Sequence, residues 1–411
     1  MEKKFSNVAA TEENKNWQRL IERRDPLYSR DDDIRTPFAR DYTRVLHSLA
    51  YRRLKHKTQV FFNAAGNDHI CTRIEHVSHV ESVSSTIAKQ LGLNEELTKA
   101  IATAHDLGHA PFGHEGERII RRLTNEHLGV DFWHEKNGVY IVDDLELLED
   151  NECNLKNLDL TYAVRDGIIS HCGEVDENGL SPREELFDLS LFEKPGQFNA
   201  ATWEGCVVKL ADKIAYLGRD IEDARILGFL SDEDVSELEN MARIRNEKAV
   251  NTTVIMHNMI LDLCENSSPE RGLCLSSEMH NQLCAIKEFN YKHIYDNPRM
   301  KPFTEYSNLI IRSIFEKLRT YFKGASTISY ISKDDAEAYG FVRDFADWLV
   351  RYVDDGVEAP DKYNELKKRC RNRKIYGDLE DEKLYIRAVI DFIAGMTDAY
   401  AIKSFQELLT C

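Results

Sequence analysis

His105-Asp106-Leu107-Gly108-His109-Ala110-Pro111-Phe112-Gly113-His114-Glu115-Gly116-Glu117 sets three histidines and an aspartate around a Pro-Gly turn. Just upstream, Leu97, Ile101 and Ala104 recur at helical spacing. His105 and Asp106 therefore arrive at the C-terminal end of a helix, where both side chains can turn toward one ion. Imidazole with carboxylate suits Mn, Fe, Ni, Co or Zn, and with more water also Mg. Downstream, Pro111 and Gly113 make a turn before a helix beginning near Glu115. Glu117, three residues after His114, is spaced to orient and polarise that imidazole.

A lone His-Asp dipeptide is common, so its weight depends on further ligands. Eight of the fourteen histidines fall between His47 and His114. His76 opens the preceding helix, in Arg73-Ile74-Glu75-His76. Asp212 lies on a strong helical stretch, Cys206 to Ala224, whose Leu210, Ile214, Leu217 and Ile221 form one apolar face. Asp212, Tyr216 and Asp220 follow at i, i+4 and i+8 on the opposite side. That polar face either meets water or lines a cleft, and Tyr216 with the neighbouring Lys213 would supply a phenol and an ammonium beside a ligand.

Long stretches with apolar spacing of three to four residues, only nine prolines and twenty glycines, and a normal apolar fraction predict an all-α protein with few strands. No apolar run reaches signal-peptide or membrane-span length, so a cytoplasmic protein without membrane contact is expected. The nine cysteines show no C-x-x-C pair and read as reduced packing residues. A formal net charge of −17 argues against general affinity for nucleic acid. Against that trend, Arg35, Arg40, Arg44, Arg52, Arg53, Lys55 and Lys57 stand with only Asp41 between 35 and 57. Such a run suits a polyanionic small molecule, although a charge run alone is usually a solvated helix face. Residues 1–34 read as a weakly structured lead-in, 35–230 as the chemical core, and 231–411 as a helical region that completes the core and makes oligomer contacts. Turn residues at Ala64 to Asn67 and an irregular insertion at Asp176 to Asn199 interrupt the core.

The pattern H…HD…D resembles the HD superfamily, and the flanking residues look like its deoxyguanosine triphosphate triphosphohydrolase branch. The resemblance is carried by Arg35-Thr36-Pro37-Phe38-Ala39-Arg40-Asp41, by His47 to Leu54, by Lys57-Thr58-Gln59-Val60-Phe61 and by Thr72-Arg73-Ile74-Glu75-His76. It continues through the 105–117 block and Ala211-Asp212-Lys213-Ile214-Ala215-Tyr216, and returns at Ile393 to Ala401. It implies an HD-domain helical core in which His76, His105, Asp106 and Asp212 bind a divalent metal. It further implies that His114 and Glu117 form an acid-base pair with His109 nearby. Gln59 and Asp220 would address the sugar 3′-hydroxyl region, and Arg73, Lys213 and Tyr216 the phosphates. The stretch Phe132-Trp133-His134-Glu135 departs from many bacterial relatives and looks more like the SAM-and-HD-domain dNTP hydrolases, which puts His134 among the substrate-binding candidates.

The activity so implied is metal-dependent cleavage of dGTP, and of other dNTPs, to deoxynucleoside and inorganic triphosphate. An HD-type 5′-nucleotidase or phosphodiesterase would use the same metal but leaves the basic segment and the Lys213, Tyr216, Asp220 face without a purpose. A nucleotide-sensing regulator with weak catalysis would not need every metal and acid-base residue. Relatives are commonly homo-oligomers, often hexameric, and some respond to single-stranded DNA or to bound dNTPs. The resemblance therefore implies a homo-oligomer with such an effector.

Overall fold

A computed structural model describes residues 3–25, 33–61, 69–172, 178–242, 251–334 and 339–410. Helices dominate as expected, and the one sheet among the described residues is the antiparallel pair Leu147–Glu149 and Leu155–Asn157. No described helix is long and apolar enough to cross a membrane. The eight described cysteines are all free. The expected turn at Ala64 to Asn67 lies outside the described residues.

The chain forms two units, neither continuous in sequence: 1–46 with 59–106 and 160–301, and 47–58 with 107–159 and 302–411. The first is built on helices Arg73–Leu91, Glu95–Ala104, Tyr162–Ser170 and Trp203–Ile226, which pack on one another, with Thr252–Asn266 laid against the last. Local chemistry sets their ends. Thr72 and Glu75 form a capping box at the start of Arg73–Leu91, and Gly92, at φ 87°, ends it in the left-handed conformation that glycine adopts freely. The Asn94 side chain accepts from the Glu96 and Leu97 amides and starts Glu95–Ala104. That helix is enclosed, with Leu97, Ala100, Ile101 and Ala104 fully buried. Its approach to Tyr162–Ser170 requires Gly167, where a Cβ would fall 2.6 Å from Ile101 Cγ2. Ser48 breaks the expected helix between Thr36 and Leu54 into Pro37–His47 and Leu49–Arg53, and caps the second piece by accepting from the Tyr51 amide.

Residues 3–25 of the segment expected to be loosely structured are docked. Phe5 is fully buried, with its ring 4.9 Å from that of Trp203, and its amide donates to Leu91 O at 2.9 Å. Ala9, Ala10 and Leu20 are buried as well. Too few apolar residues at too irregular a spacing mark this segment in the sequence; it gains its place by fitting a surface the helices have already made. The stretch expected to be irregular is so over 178–199, holding only the turn Leu189–Leu191, and Arg183 ties it to the buried Asp166 carboxylate.

In the second unit the helix Gly113–Leu128 packs against Glu382–Ala394. The last hundred residues therefore supply core to the segment that follows the His-Asp pair, and the division of the chain does not fall near residue 230.

Glu204 is a consequence of the docked amino terminus. Fully buried at the start of Trp203–Ile226, it accepts from the Ala10 and Asn94 amides at 2.9 Å each through one oxygen, and burial raises its pKa above the ordinary 4.5. A carboxyl with a raised folded-state pKa binds its proton more tightly in the folded protein, so stability falls as pH rises from the unfolded value through the folded one. Denaturant unfolding between pH 4 and 8 should show this decline, at about 1.4 kcal/mol per pH unit within the window. Glu204→Gln, which keeps an acceptor for both amides, should flatten it. An unchanged slope in the variant would assign the decline to another group.

Candidate metal centre and histidine cluster

Four of the expected ligands converge within the first unit. His105 follows the last residue of Glu95–Ala104 and begins a 3-10 turn to Gly108, which swings His105 and Asp106 off the helix axis together. His76 lies on the first turn of Arg73–Leu91, and Asp212 midway along Trp203–Ile226. His76 Nε2 is 2.9 Å from Asp212 Oδ1 and 3.8 Å from Asp106 Oδ2, and His105 Nε2 is 3.4 Å from Asp106 Oδ1 and 3.8 Å from Asp212 Oδ1. Ligand atoms of His76, His105 and Asp212 all lie within 4.8 Å of one another.

The donor set fits a divalent ion. His105 Nδ1 lies 2.6 Å from Ala102 O, so that nitrogen carries the proton and Nε2 presents a lone pair; Nε2 is fully buried with no hydrogen-bond partner. A buried acceptor facing two carboxylates is a cost that a cation removes. Without the ion a proton substitutes: burial disfavours charge on His76, but its bond to Asp212 outweighs this and raises its pKa. The same bond outweighs burial at Asp212 and lowers that carboxyl.

Arg73, buried at the helix start, donates to Asp106 Oδ2 at 2.7 Å and to Gln59 O at 3.2 Å. Gln59 is buried too, and its side-chain oxygen has no partner. Lys213 is buried on the helix that carries Asp212. Farther along that helix, burial pushes the Asp220 carboxyl up to about 7, while Tyr295 donates to it at 2.5 Å and the charges of His76 and Arg73 reach it. Tyr216 also acts on Tyr295. In the polar stripe Asp212, Tyr216, Asp220, the last is buried and the other two are half-buried, so the stripe is not a fully solvated face.

In the second unit, four more candidates cluster. The His109 and His134 rings stack with centroids 3.8 Å apart and planes 20° apart, and His114 stands edge-on to them at 5.5 and 6.1 Å. Glu117 Oε2 is 3.0 Å from His134 Nδ1 and 3.9 Å from His114 Nδ1. Its other oxygen takes Arg121 at 3.2 Å. Burial works to raise the Glu117 pKa, but His134 above all outweighs it and holds the carboxyl at about 2. The closer partner of Glu117 is therefore His134, whereas the His114 side chain is 64% exposed. Sequence separation favours the i, i+3 pair, and the start of the helix His134–Tyr140 brings in a competitor that spacing does not reveal.

The backbone between these groups is tightly held. Phe112 sits at φ 65°, a left-handed conformation costly for a bulky residue, with its amide donating to Asp398 at 2.8 Å. Asp398 also accepts from the Thr58 amide at 2.9 Å, Lys57 donates to His109 O, and Asn137 donates to Gly108 O at 2.7 Å. Gly108 admits no side chain, because a Cβ would fall 1.9 Å from His134 O.

Sequence reasoning missed several of these. His171 follows a helix as His105 does, has the same Nδ1 contact to the carbonyl three residues back, 2.6 Å to Ile168 O, and places its ring 5.0 Å from that of His105. A histidine one residue past a helix end, near no second ligand type, is a weak signal. Tyr295 carried none. The basic run from Arg35 to Lys57 is not a continuous electropositive face: Lys57 is buried against backbone carbonyls, Arg53 pairs with Glu146 at 3.1 Å, and Arg35 and Arg40 both meet Asp33.

Residues 73–217 match the family model of the HD domain, and residues 361–407 that of a phosphohydrolase-associated domain. The chain is 32% identical over 377 residues to a deoxyguanosinetriphosphate triphosphohydrolase-like protein of Caldanaerobacter subterraneus, covering 92% of this chain and 86% of the relative. A protein of the same description from Rickettsia bellii is 31% identical over 405 residues, 93% of this chain and 96% of the relative. The corresponding protein of Pelagibacter ubique is 30% identical over 429 aligned residues, 97% and 98%.

The metal set makes two variants behave differently. Asp212→Asn should lose bound Mn by elemental analysis, and with it the rise in Tm that Mn gives the native protein, while the apo protein unfolds near the native apo value. Asp106→Ala should lose the metal as well, and additionally about 3 kcal/mol of apo stability, because Arg73 is left buried without its anion. Retention of Mn by either variant would remove that residue from the ligand set.

Proposed function

The chain belongs to the deoxyguanosinetriphosphate triphosphohydrolase-like family of HD-domain proteins, metal-dependent phosphohydrolases, and we propose that it cleaves deoxynucleoside triphosphates to deoxynucleoside and inorganic triphosphate. The observation that carries this reading is the polar stripe on Trp203–Ile226, half-buried at Asp212 and Tyr216 and buried at Asp220. Asp212 of the metal set and Asp220, bonded to Tyr295, are eight residues apart on one face, roughly 12 Å along the axis. That span accommodates a phosphate at one end and a sugar at the other, more than an isolated phosphomonoester requires.

A divalent ion held by His76, His105, Asp106 and Asp212 supplies Lewis acidity toward the phosphoryl oxygens and lowers the pKa of water. The protein's own groups bind and move protons. Arg73 orients Asp106 and, with Lys213 and Tyr216, contributes positive charge and a hydroxyl for the phosphates. Asp220 and Gln59 accept from the sugar 3′-hydroxyl; the unpartnered Gln59 oxygen is available for that bond. His114, the most exposed imidazole of its cluster, protonates the departing 5′-oxygen, and Glu117 holds the neighbouring His134. His109, stacked on His134, keeps that ring in place.

Incubation with each of the four dNTPs and Mn, singly and in mixtures, followed by chromatographic separation of products, is expected to yield inorganic triphosphate and deoxynucleoside, with ribonucleotides turned over more slowly. Release of orthophosphate instead would identify a phosphatase-type HD enzyme.

His114→Ala should keep its metal and its dNTP affinity while single-turnover triphosphate release falls by roughly two or more orders of magnitude, the loss expected for a general acid. Glu117→Ala should act in the same direction, and the double variant should be far from additive. Near-native turnover in His114→Ala would move the proton donor to His109 or His134.

A further inference from the structure

The second unit holds a half-open cavity of about 440 Å³ that the reaction above does not use. Its walls come from the helices Gly340–Leu349 and Glu382–Ala394 and from the segment 137–147. Four buried polar atoms among its lining residues have no hydrogen-bond partner: Arg53 Nε, Arg351 Nε, Asn137 Oδ1 and Asp391 Oδ1. Asn137 itself is 5% exposed. Buried donors and acceptors left in this state mark a place where a ligand completes the bonding.

The charges say what kind of ligand. The lining carboxylates are each engaged by cations or donors: Glu146 takes Arg53 and the Leu49 and Ala50 amides, Asp391 pairs with Arg387 and takes the Tyr140 and Tyr376 hydroxyls on Oδ2, its Oδ1 accepting no hydrogen bond, and Asp344 takes the Tyr400 hydroxyl. Arg351 has no carboxylate partner among the described residues. Both guanidinium-bearing residues line the cavity together with Tyr352. One uncompensated guanidinium and a second with a free Nε match a single phosphate rather than a triphosphate. Trp348, Tyr352, Phe392 and Tyr400 offer flat apolar surface, and Asn137 Oδ1 accepts from a ring N–H or amine.

We propose that this cavity binds a nucleoside monophosphate, with its phosphate on Arg351 and Arg53, its ring against the aromatic wall and its base amine on Asn137. The inference does not rest on the reaction proposed above. Occupancy bears on the histidine segment, since the same Asn137 amide that would face the ligand holds Gly108 O, and Thr397, also in the wall, adjoins Asp398, which holds Phe112.

Calorimetric titration of dGMP and dAMP into the full chain with EDTA present tests this. One molecule per chain should bind and quench Trp348. Arg351→Gln, whose side chain makes no described bond, should weaken binding at least tenfold, and Arg351→Lys should recover part of the loss. Trp348→Phe should abolish the quench but retain binding, and Asp212→Asn should bind as the native protein does. No binding, equal binding by Arg351→Gln, loss in Asp212→Asn, or inorganic phosphate binding as tightly as the nucleotide would each overturn the assignment.

Discussion

The buried pairing of Arg73 with Asp106 is the interaction on which the metal centre depends. Both side chains are removed from water, and a lone carboxylate at that depth would protonate rather than ligate. The guanidinium holds one Asp106 oxygen, leaving the other turned toward His105. Arg73 opens the same helix that carries His76 one turn later, so the two contributions share a single rigid support.

A second constraint is steric and lies two residues further on. Gly108 has no room for a Cβ, Phe112 is held in a left-handed conformation, and the carbonyls and amides between them are tied by Asn137, Lys57 and Asp398. Strain of this kind persists only where the surroundings over-determine it. The bonds to Lys57 and Asp398 draw on residues far apart in the chain, which explains why the helices beyond residue 302 form one unit with the segment after Asp106.

The histidine cluster shows how a short-range pattern can name neighbours and stay silent about pairing. His114 and Glu117 are at helical spacing, yet the stronger contact of Glu117 is with His134, seventeen residues away. Glu117, its carboxyl held at about 2, is engaged by His134 and Arg121, and lies farther from His114, whose side chain is 64% exposed.

The helical class and the approximate course of the principal helices were legible in the chain itself, while His76, His105, Asp106 and Asp212 were named as a set only through the family resemblance. Apolar periodicity is a local property, and local properties survive folding unchanged. What lies beyond local reach was decided by packing. The docking of Phe5 and Ala10, the burial of Lys57, the bond from Tyr295 to Asp220, and the choice of His134 over His114 each depend on a partner tens to hundreds of residues distant. Composition and spacing carry no record of such distances, because a buried polar group is satisfied by whichever partner the assembled helices bring near, not by the neighbour the sequence places beside it.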